Sequence, residues 1–215
     1  MYFLKSPIPL ILFVAISLWG LGITSGVMYA LSYQYTPSER GHAQSHWPAA
    51  TSCVLASDRP TLIMFVHPRC PCSRASLSEL ELLTVHCAGR LDAQVLFLQP
   101  PAVANDWVES DLWERAAKIP GVARRLDFEG REHSRFGARV SGEVFVYSPD
   151  GKLLFHGGIT AGRGHVGDNA GRSALETLLL RSPDAGFVTP VFGCQLETSG
   201  RTSSETAAVR RRADP

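Results

Sequence analysis

Two cysteines placed where a buried strand hands over to a helix constrain this chain more than any other feature. Thr61-Leu62-Ile63-Met64-Phe65-Val66 is short, β-branched and aromatic, the pattern of a strand covered on both faces, and Pro68 ends it. From Ser73 to His86 the leucines Leu77, Leu80 and Leu83 recur at helical spacing, with Leu82 off the main stripe. Between the two lies His67-Pro68-Arg69-Cys70-Pro71-Cys72. The first N–H groups of a helix lack intrahelical partners and its dipole is positive there, so a thiol at this junction loses its proton readily, and the thiolate is the reactive form. Pro71 suits a helix start, where its missing N–H would have gone unpaired in any case.

The following residues continue the same grammar. Gln94–Leu98 reads as a second buried strand, ended by Pro100-Pro101. Asp106–Ala117 reads as one helix, Ala123–Leu126 as a short extended piece and Gly130–Phe136 as a short helix. Glu143–Tyr147 and Lys152–His156 flank Ser148-Pro149-Asp150-Gly151, a hairpin signal. Ala170–Arg181 closes the pattern with Ala174, Leu175, Leu178 and Leu179 inward. The order β-α-β-α-(β)-β-β-α predicts an α/β sheet finished by an antiparallel hairpin. A formal net charge of +1 with 19% charged residues argues against nucleic acid as a partner. Five cysteines (Cys53, Cys70, Cys72, Cys87, Cys194) are an odd and widely spaced set, which fits a reactive site better than a disulfide-stapled scaffold.

Residues 1–35 read as a transmembrane anchor. From Ser6 to Pro37 there is no Asp, Glu, Lys or Arg, and the 24 apolar residues Ile8 to Leu31 suffice to cross a ~30 Å hydrocarbon layer. Tyr2 and Phe3 at one end, and Tyr29, Tyr33 and Tyr35 at the other, suit interfacial belts, and Lys5 favours an inside N-terminus. The competing reading, a cleaved signal peptide, wants a shorter apolar region and a better cleavage site than Met28-Tyr29-Ala30. Residues 36–58 read as a linker, 59–182 as the domain, and 183–215 as a C-terminal extension, largely disordered after 197.

Three stretches together resemble the thioredoxin family: the strand ending four residues before Cys70; Asp127-Phe128-Glu129-Gly130 with Phe136-Gly137-Ala138-Arg139-Val140; and the hairpin Val144–His156 with Gly157-Gly158. With the anchor, the chain is similar to membrane-tethered thioredoxin-like proteins of bacteria, of the cytochrome-maturation or RedB type. The resemblance implies a thioredoxin-like fold, a central mixed sheet with flanking helices. It also implies thiol–disulfide exchange with a protein thiol or disulfide substrate and a redox partner, without a cofactor, on a single-pass protein of the inner membrane facing the periplasm. The sequence departs from the family at three places. The usual Cys-x-x-Cys becomes Cys70-Pro71-Cys72 with Ser73 in the usual second place, the cis-proline position falls at Gly142, and the buried carboxylate position falls at Met64. These losses argue against an ordinary general disulfide reductase.

Cys70 is the expected nucleophile, with Arg69 and Arg74 favouring its thiolate and His67 adding charge or relaying a proton. Cys72 is the expected resolving cysteine. A disulfide between residues two apart in a helical turn is strained and therefore easily reduced. Two alternatives remain open: two thiolates with a histidine are also a copper(I) site, as in a metallochaperone module, and a catalytically silent thioredoxin-fold interaction protein would keep both cysteines inert. The stretch Gly157–Gly171 has six glycines in fifteen residues and is expected beside Cys70, where Arg163 and His165 would bind an anionic thiolate or substrate and Asp168 would orient one of them. The plainer alternative is that Asp168 or Asn169 caps the last helix. The apolar island around Phe192-Gly193-Cys194 is expected to dock on the domain, near Cys70 and Cys72 or near Cys53, making Cys194 a possible resolving cysteine; Cys87 is expected to be buried.

Overall fold

The computed structural model describes residues 8–101, 103–181 and 186–196. The chain divides into two compact units, Met1–Thr36 and Pro37–Pro215. The first is helix α1, Ile8–Tyr35, whose 28 residues rise about 42 Å. Leu10–Tyr35 has the length and composition needed to cross a membrane, and none of that window is buried. Tyr2, Phe3 and Lys5 lie outside the described residues, as does the tail after 196.

The second unit is built on a six-stranded sheet. Strands β1 (Thr61–Val66), β2 (Asp92–Gln99), β3 (Val122–Phe128), β4 (Glu143–Tyr147), β5 (Leu153–Gly157) and β6 (Phe187–Val188) lie in the order β3-β2-β1-β4-β5-β6. β1 is central because it has no polar face to give to solvent: all six residues are buried. It pairs in parallel with β2 from Thr61↔Asp92 to Val66↔Phe97, and antiparallel with β4 from Thr61↔Tyr147 to Phe65↔Glu143. Leu62, Met64 and Val66 face helices α2 (Ser73–His86) and α6 (Ala170–Arg181), meeting Leu77, Leu80, Leu83, Leu175 and Leu178. Ile63 and Phe65 face the other side and meet Phe136, Phe145 and Tyr147. Burial of each such side chain contributes roughly 1.5–3 kcal/mol. Parallel β3-β2-β1, an antiparallel β4–β5 hairpin and a closing helix make this a thioredoxin-like fold, with the cysteine pair at the β1–α2 junction.

The single helix expected over Asp106–Ala117 is two, α3 (Asn105–Val108) and α4 (Asp111–Ala117). Ser110 divides them: its backbone is extended and its hydroxyl accepts from the Trp113 N–H, so it caps a new helix instead of continuing the old one. Helix α5 is Arg131–Phe136. Strand β6 had no signal in the sequence; its two residues pair in parallel with β5.

Residues on either side of the 59–182 segment pack on it. Trp47 sits edge-on to Phe136 and Tyr147, with ring centroids 5.2 and 5.3 Å away. Cys53 is buried in the same cluster. The residues after β6 return across the domain through bridges Ser38↔Val191 and Val140↔Gln195.

Candidate functional site

β1 ends beneath a tight turn in which the Cys70 N–H donates to the His67 carbonyl (3.0 Å), and α2 begins within three residues. This places Cys70 beyond the C-terminal end of the central strand, 3% exposed, with Cys72 half-buried two residues further on. The third cysteine comes from the far end of the chain. Cys194 Sγ lies 3.1 Å from Cys70 Sγ, and the sulfurs of Cys70, Cys72 and Cys194 all lie within 4.8 Å of one another.

The segment carrying Cys194 is held by an antiparallel bridge, Val140↔Gln195. The Ser141 N–H donates to the Cys194 carbonyl (2.8 Å) and the Leu196 N–H to the Arg139 carbonyl (2.7 Å). Gly193 must be glycine for this approach, because a Cβ there would lie 2.0 Å from the Ser141 carbonyl oxygen. Its own carbonyl accepts from Ser38 Oγ (2.7 Å) and from the Arg163 guanidinium, which also donates to Ser38 Oγ (2.8 Å).

The receiving loop, 139–142, is itself fixed by a buried acid. Glu143 is fully buried and accepts N–H bonds from Gly41 (2.9 Å), Arg139 (2.8 Å) and Val140 (3.0 Å), and it pairs with His156 Nε2 at 2.6 Å. Gly142 donates to the Phe65 carbonyl (2.7 Å) at φ +90°, a left-handed conformation, and a Cβ would come within 2.6 Å of Ser76 Oγ. It holds the position expected for a cis-proline, yet no peptide bond among the described residues is cis. The Ser141 hydroxyl accepts the His67 N–H (2.7 Å) and shares a 2.6 Å hydrogen bond with the Ser73 hydroxyl.

These contacts divide the three thiols. Burial pushes the Cys70 thiol up, but hydrogen bonds from the Ser73 and Cys194 side chains and backbone N–H groups outweigh it and leave Cys70 below its ordinary value. Cys72 is raised, first by burial and then by the negative charge on Cys70, with Arg163 pulling the other way. Cys194 is pushed up to about 12 by burial, by its hydrogen bond to Cys70 and by repulsion from the other two sulfurs, again opposed by Arg163.

The other expected residues fall in three groups. His67 accepts the Arg69 N–H at Nδ1 (3.2 Å) and meets Trp107 edge-on at 5.5 Å, while the Arg69 guanidinium lies over the same indole at 5.0 Å. With Leu98 and Pro100 they line a cleft of about 320 Å³ that opens on Cys70 and Cys194. Arg74 pairs with Asp111 on the surface, so neither arginine ranks among the main influences on Cys70; hydrogen bonds do that work. Arg163 reaches the cysteine cluster from the glycine-rich loop, and His165 is half-buried two residues on. Asp168 pairs with Arg172 at 3.3 Å. Asn169 caps α6, accepting the Arg172 N–H at 2.8 Å, and the buried Glu79 ties Gly167, Asn169 and Arg172 together. Cys87 is buried away from the cluster.

Sequence reasoning missed Ser73, Ser141, Glu143, Ser38 and Trp107. Only Glu143 carried a signal: an acid heading the otherwise apolar Val144-Phe145-Val146-Tyr147 needs buried partners.

No family model matches the chain, and no curated protein matches it. Among solved structures, it is similar to a hypothetical protein from Sinorhizobium meliloti 1021, with TM-score 0.55 and 20% identity over 77% of this chain and 96% of that one. It is also similar to an uncharacterized conserved protein from Geobacillus kaustophilus, with TM-score 0.53 and 16% identity over 77% of this chain and 94% of that one. At such identities these two likenesses bear on the fold alone. A secreted disulfide oxidoreductase of Mycobacterium tuberculosis, homologous to E. coli DsbE, aligns at TM-score 0.42 and 12% identity over 65% of this chain and 96% of that one, too loosely to bear on this chain's chemistry.

Proposed function

We propose that this chain is a membrane-tethered thiol–disulfide oxidoreductase, of the cytochrome-maturation or RedB type, acting on protein thiols or disulfides outside the cytoplasmic membrane. Its domain faces the periplasm and α1 anchors it in the bacterial inner membrane. The observation that carries the reading is the 3.1 Å separation of Cys70 and Cys194 sulfurs, with the first thiol shifted down and the second up.

The Cys70 thiolate attacks one sulfur of a substrate disulfide; that S–S bond breaks, a Cys70–substrate disulfide forms, and the departing thiolate takes a proton. Burial is the main influence that keeps Cys194 protonated; neutralising Cys70 removes the hydrogen bond and the negative charge that add to it, and so favours the second nucleophile. Cys194 then loses its proton to solvent and attacks the Cys70 sulfur. The substrate leaves with two thiols, and the two electrons it gained are matched by the Cys70–Cys194 disulfide. Reduction of that disulfide by a partner dithiol completes the cycle, and the same steps in reverse oxidise a substrate. Cys72, within 4.8 Å of both sulfurs, is placed to exchange with either. His67, Arg69 and Trp107 line the cleft through which a substrate sulfur reaches Cys70.

Alkylation of the full-length protein in detergent, before and after reduction, with peptide-resolved mass spectrometry, tests the proposal. A Cys70–Cys194 disulfide is expected under oxidising poise, and Cys194→Ser combined with Cys72→Ser is expected to trap the Cys70–substrate intermediate. A Cys70 that titrates as an ordinary thiol and forms no disulfide at any poise refutes it.

A further inference from the structure

Thiol exchange needs two cysteines, and this site holds three. We propose that Cys70, Cys72 and Cys194, when reduced, form a three-thiolate binding site for a soft monovalent cation, copper(I). The sequence alone suggested two cysteines and a histidine for such a site; the fold replaces the histidine with a thiol brought from 124 residues away.

Three observations support it. The first is spacing. Metal–sulfur bonds of about 2.3 Å in a trigonal plane set the sulfurs about 4 Å apart, and the three sulfurs here lie within 4.8 Å of one another. The Cys70–Cys194 pair, at 3.1 Å, must open by about an ångström on the same geometry. The second is donor type. Among the described residues the cluster contains cysteine only, with no carboxylate or imidazole member; pure thiolate sets favour copper(I), whereas structural zinc sites take four ligands. The third is charge. Three thiolates within 4.8 Å of one another repel, and a bound cation cancels that repulsion; the Arg163 guanidinium is anchored on the Gly193 carbonyl and Ser38 Oγ, one residue from Cys194. Copper(I) plus three thiols yields a trithiolate complex with net charge −2 and three released protons, and Arg163 and the N-terminus of α2 remain to offset the surplus.

Oxidation state decides between the two uses of the site. A Cys70–Cys194 disulfide removes two of the three ligands, and bound copper holds all three sulfurs away from exchange. The inference does not depend on the exchange activity: a cluster inert toward disulfides would still bind the ion.

The test uses the reduced full-length protein in detergent, without oxygen, titrated with copper(I) against a chromophoric copper(I) chelator, followed by alkylation mass spectrometry. One equivalent is expected to be retained and to protect Cys70, Cys72 and Cys194 together, leaving Cys53 and Cys87 as reactive as before. Cys194→Ser and Cys72→Ser are each expected to weaken retention by more than about tenfold, since loss even of groups outside the ligand set commonly has that effect. Cys87→Ser is expected to leave it unchanged. No retention, or protection of Cys70 and Cys72 without Cys194, overturns the proposal. The protection experiment needs no variant, so a misfolded Cys194→Ser protein leaves it decisive.

Discussion

Replacing Gly193 with alanine tests how the C-terminal segment controls Cys70 while leaving every cysteine in place. The new methyl would sit 2.0 Å from the Ser141 carbonyl oxygen and 3.0 Å from Val140 Cγ1. Both partners are held, one by the backbone and the other by a fully buried side chain, so it is the segment that must move. The Cys70 thiolate then loses the bonds from the Cys194 thiol and N–H. Hydrogen bonds to a charged group are worth about 1.5–3 kcal/mol each, and about 1.4 kcal/mol is one pKa unit, so the gross loss is roughly two to four units upward. Burial, the largest influence on Cys70, acts upward too and is relieved as the segment lifts, which offsets at least one of the two bonds. A net rise of about one to two units remains on the same scale. The assay is the pH dependence of iodoacetamide labelling at Cys70, read by peptide mass spectrometry, together with the rate of Cys70–Cys194 disulfide formation. Gly20→Ala, whose methyl meets nothing within 4 Å, is the control. An unshifted Cys70 titration with disulfide formation at the wild-type rate in Gly193→Ala would show that the segment does not set the reactivity of the site.

Three further outcomes follow from the same geometry. Ser73→Ala removes the hydroxyl that hydrogen-bonds Cys70 and is expected to raise its pKa by about one unit, visible as slower labelling near neutral pH. Glu143→Leu leaves three backbone N–H groups and His156 without their acceptor in a buried place; loss of about 3–5 kcal/mol in urea unfolding is expected, and a loss below about 1 kcal/mol would mean the loop is held by other contacts. Burial raises Cys53 to about 11 from 9.0, so between those values the unfolded state has lost a proton that the folded state keeps. Stability should therefore be full below pH 9 and fall as pH rises toward 11, by about 1.4 kcal/mol per unit, and the wild-type minus Cys53→Ala difference should carry this slope.

Much of this architecture was legible in the sequence because its signals are local. A short β-branched and aromatic run ended by a proline reads as a buried strand, leucines at helical spacing read as the helix that covers it, and the Asp150-Gly151 turn joins neighbours; β1, α2, β4 and α6 needed nothing from elsewhere in the chain to be read. So did the placing of Cys70 at a strand–helix junction. The division of the 106–117 stretch was less visible, since Ser110 looks like any helix residue until its hydroxyl turns to cap.

What makes the site lay beyond such reasoning. The fall in the Cys70 pKa comes from Ser73 and Cys194, not from the arginines beside it in sequence, because direction and desolvation decide a thiol's acidity more than proximity along the chain. Cys194 meets Cys70 across 124 residues through backbone bonds to residues 139–141; the apolar island around it pointed to docking but left open whether it met Cys70 or Cys53. The sequence alone determined the central strands, the helices that cover them and where the first cysteine stands. Only tertiary packing decided which groups surround it, because hydrogen bonds and burial act through distances in space that a one-dimensional pattern does not contain.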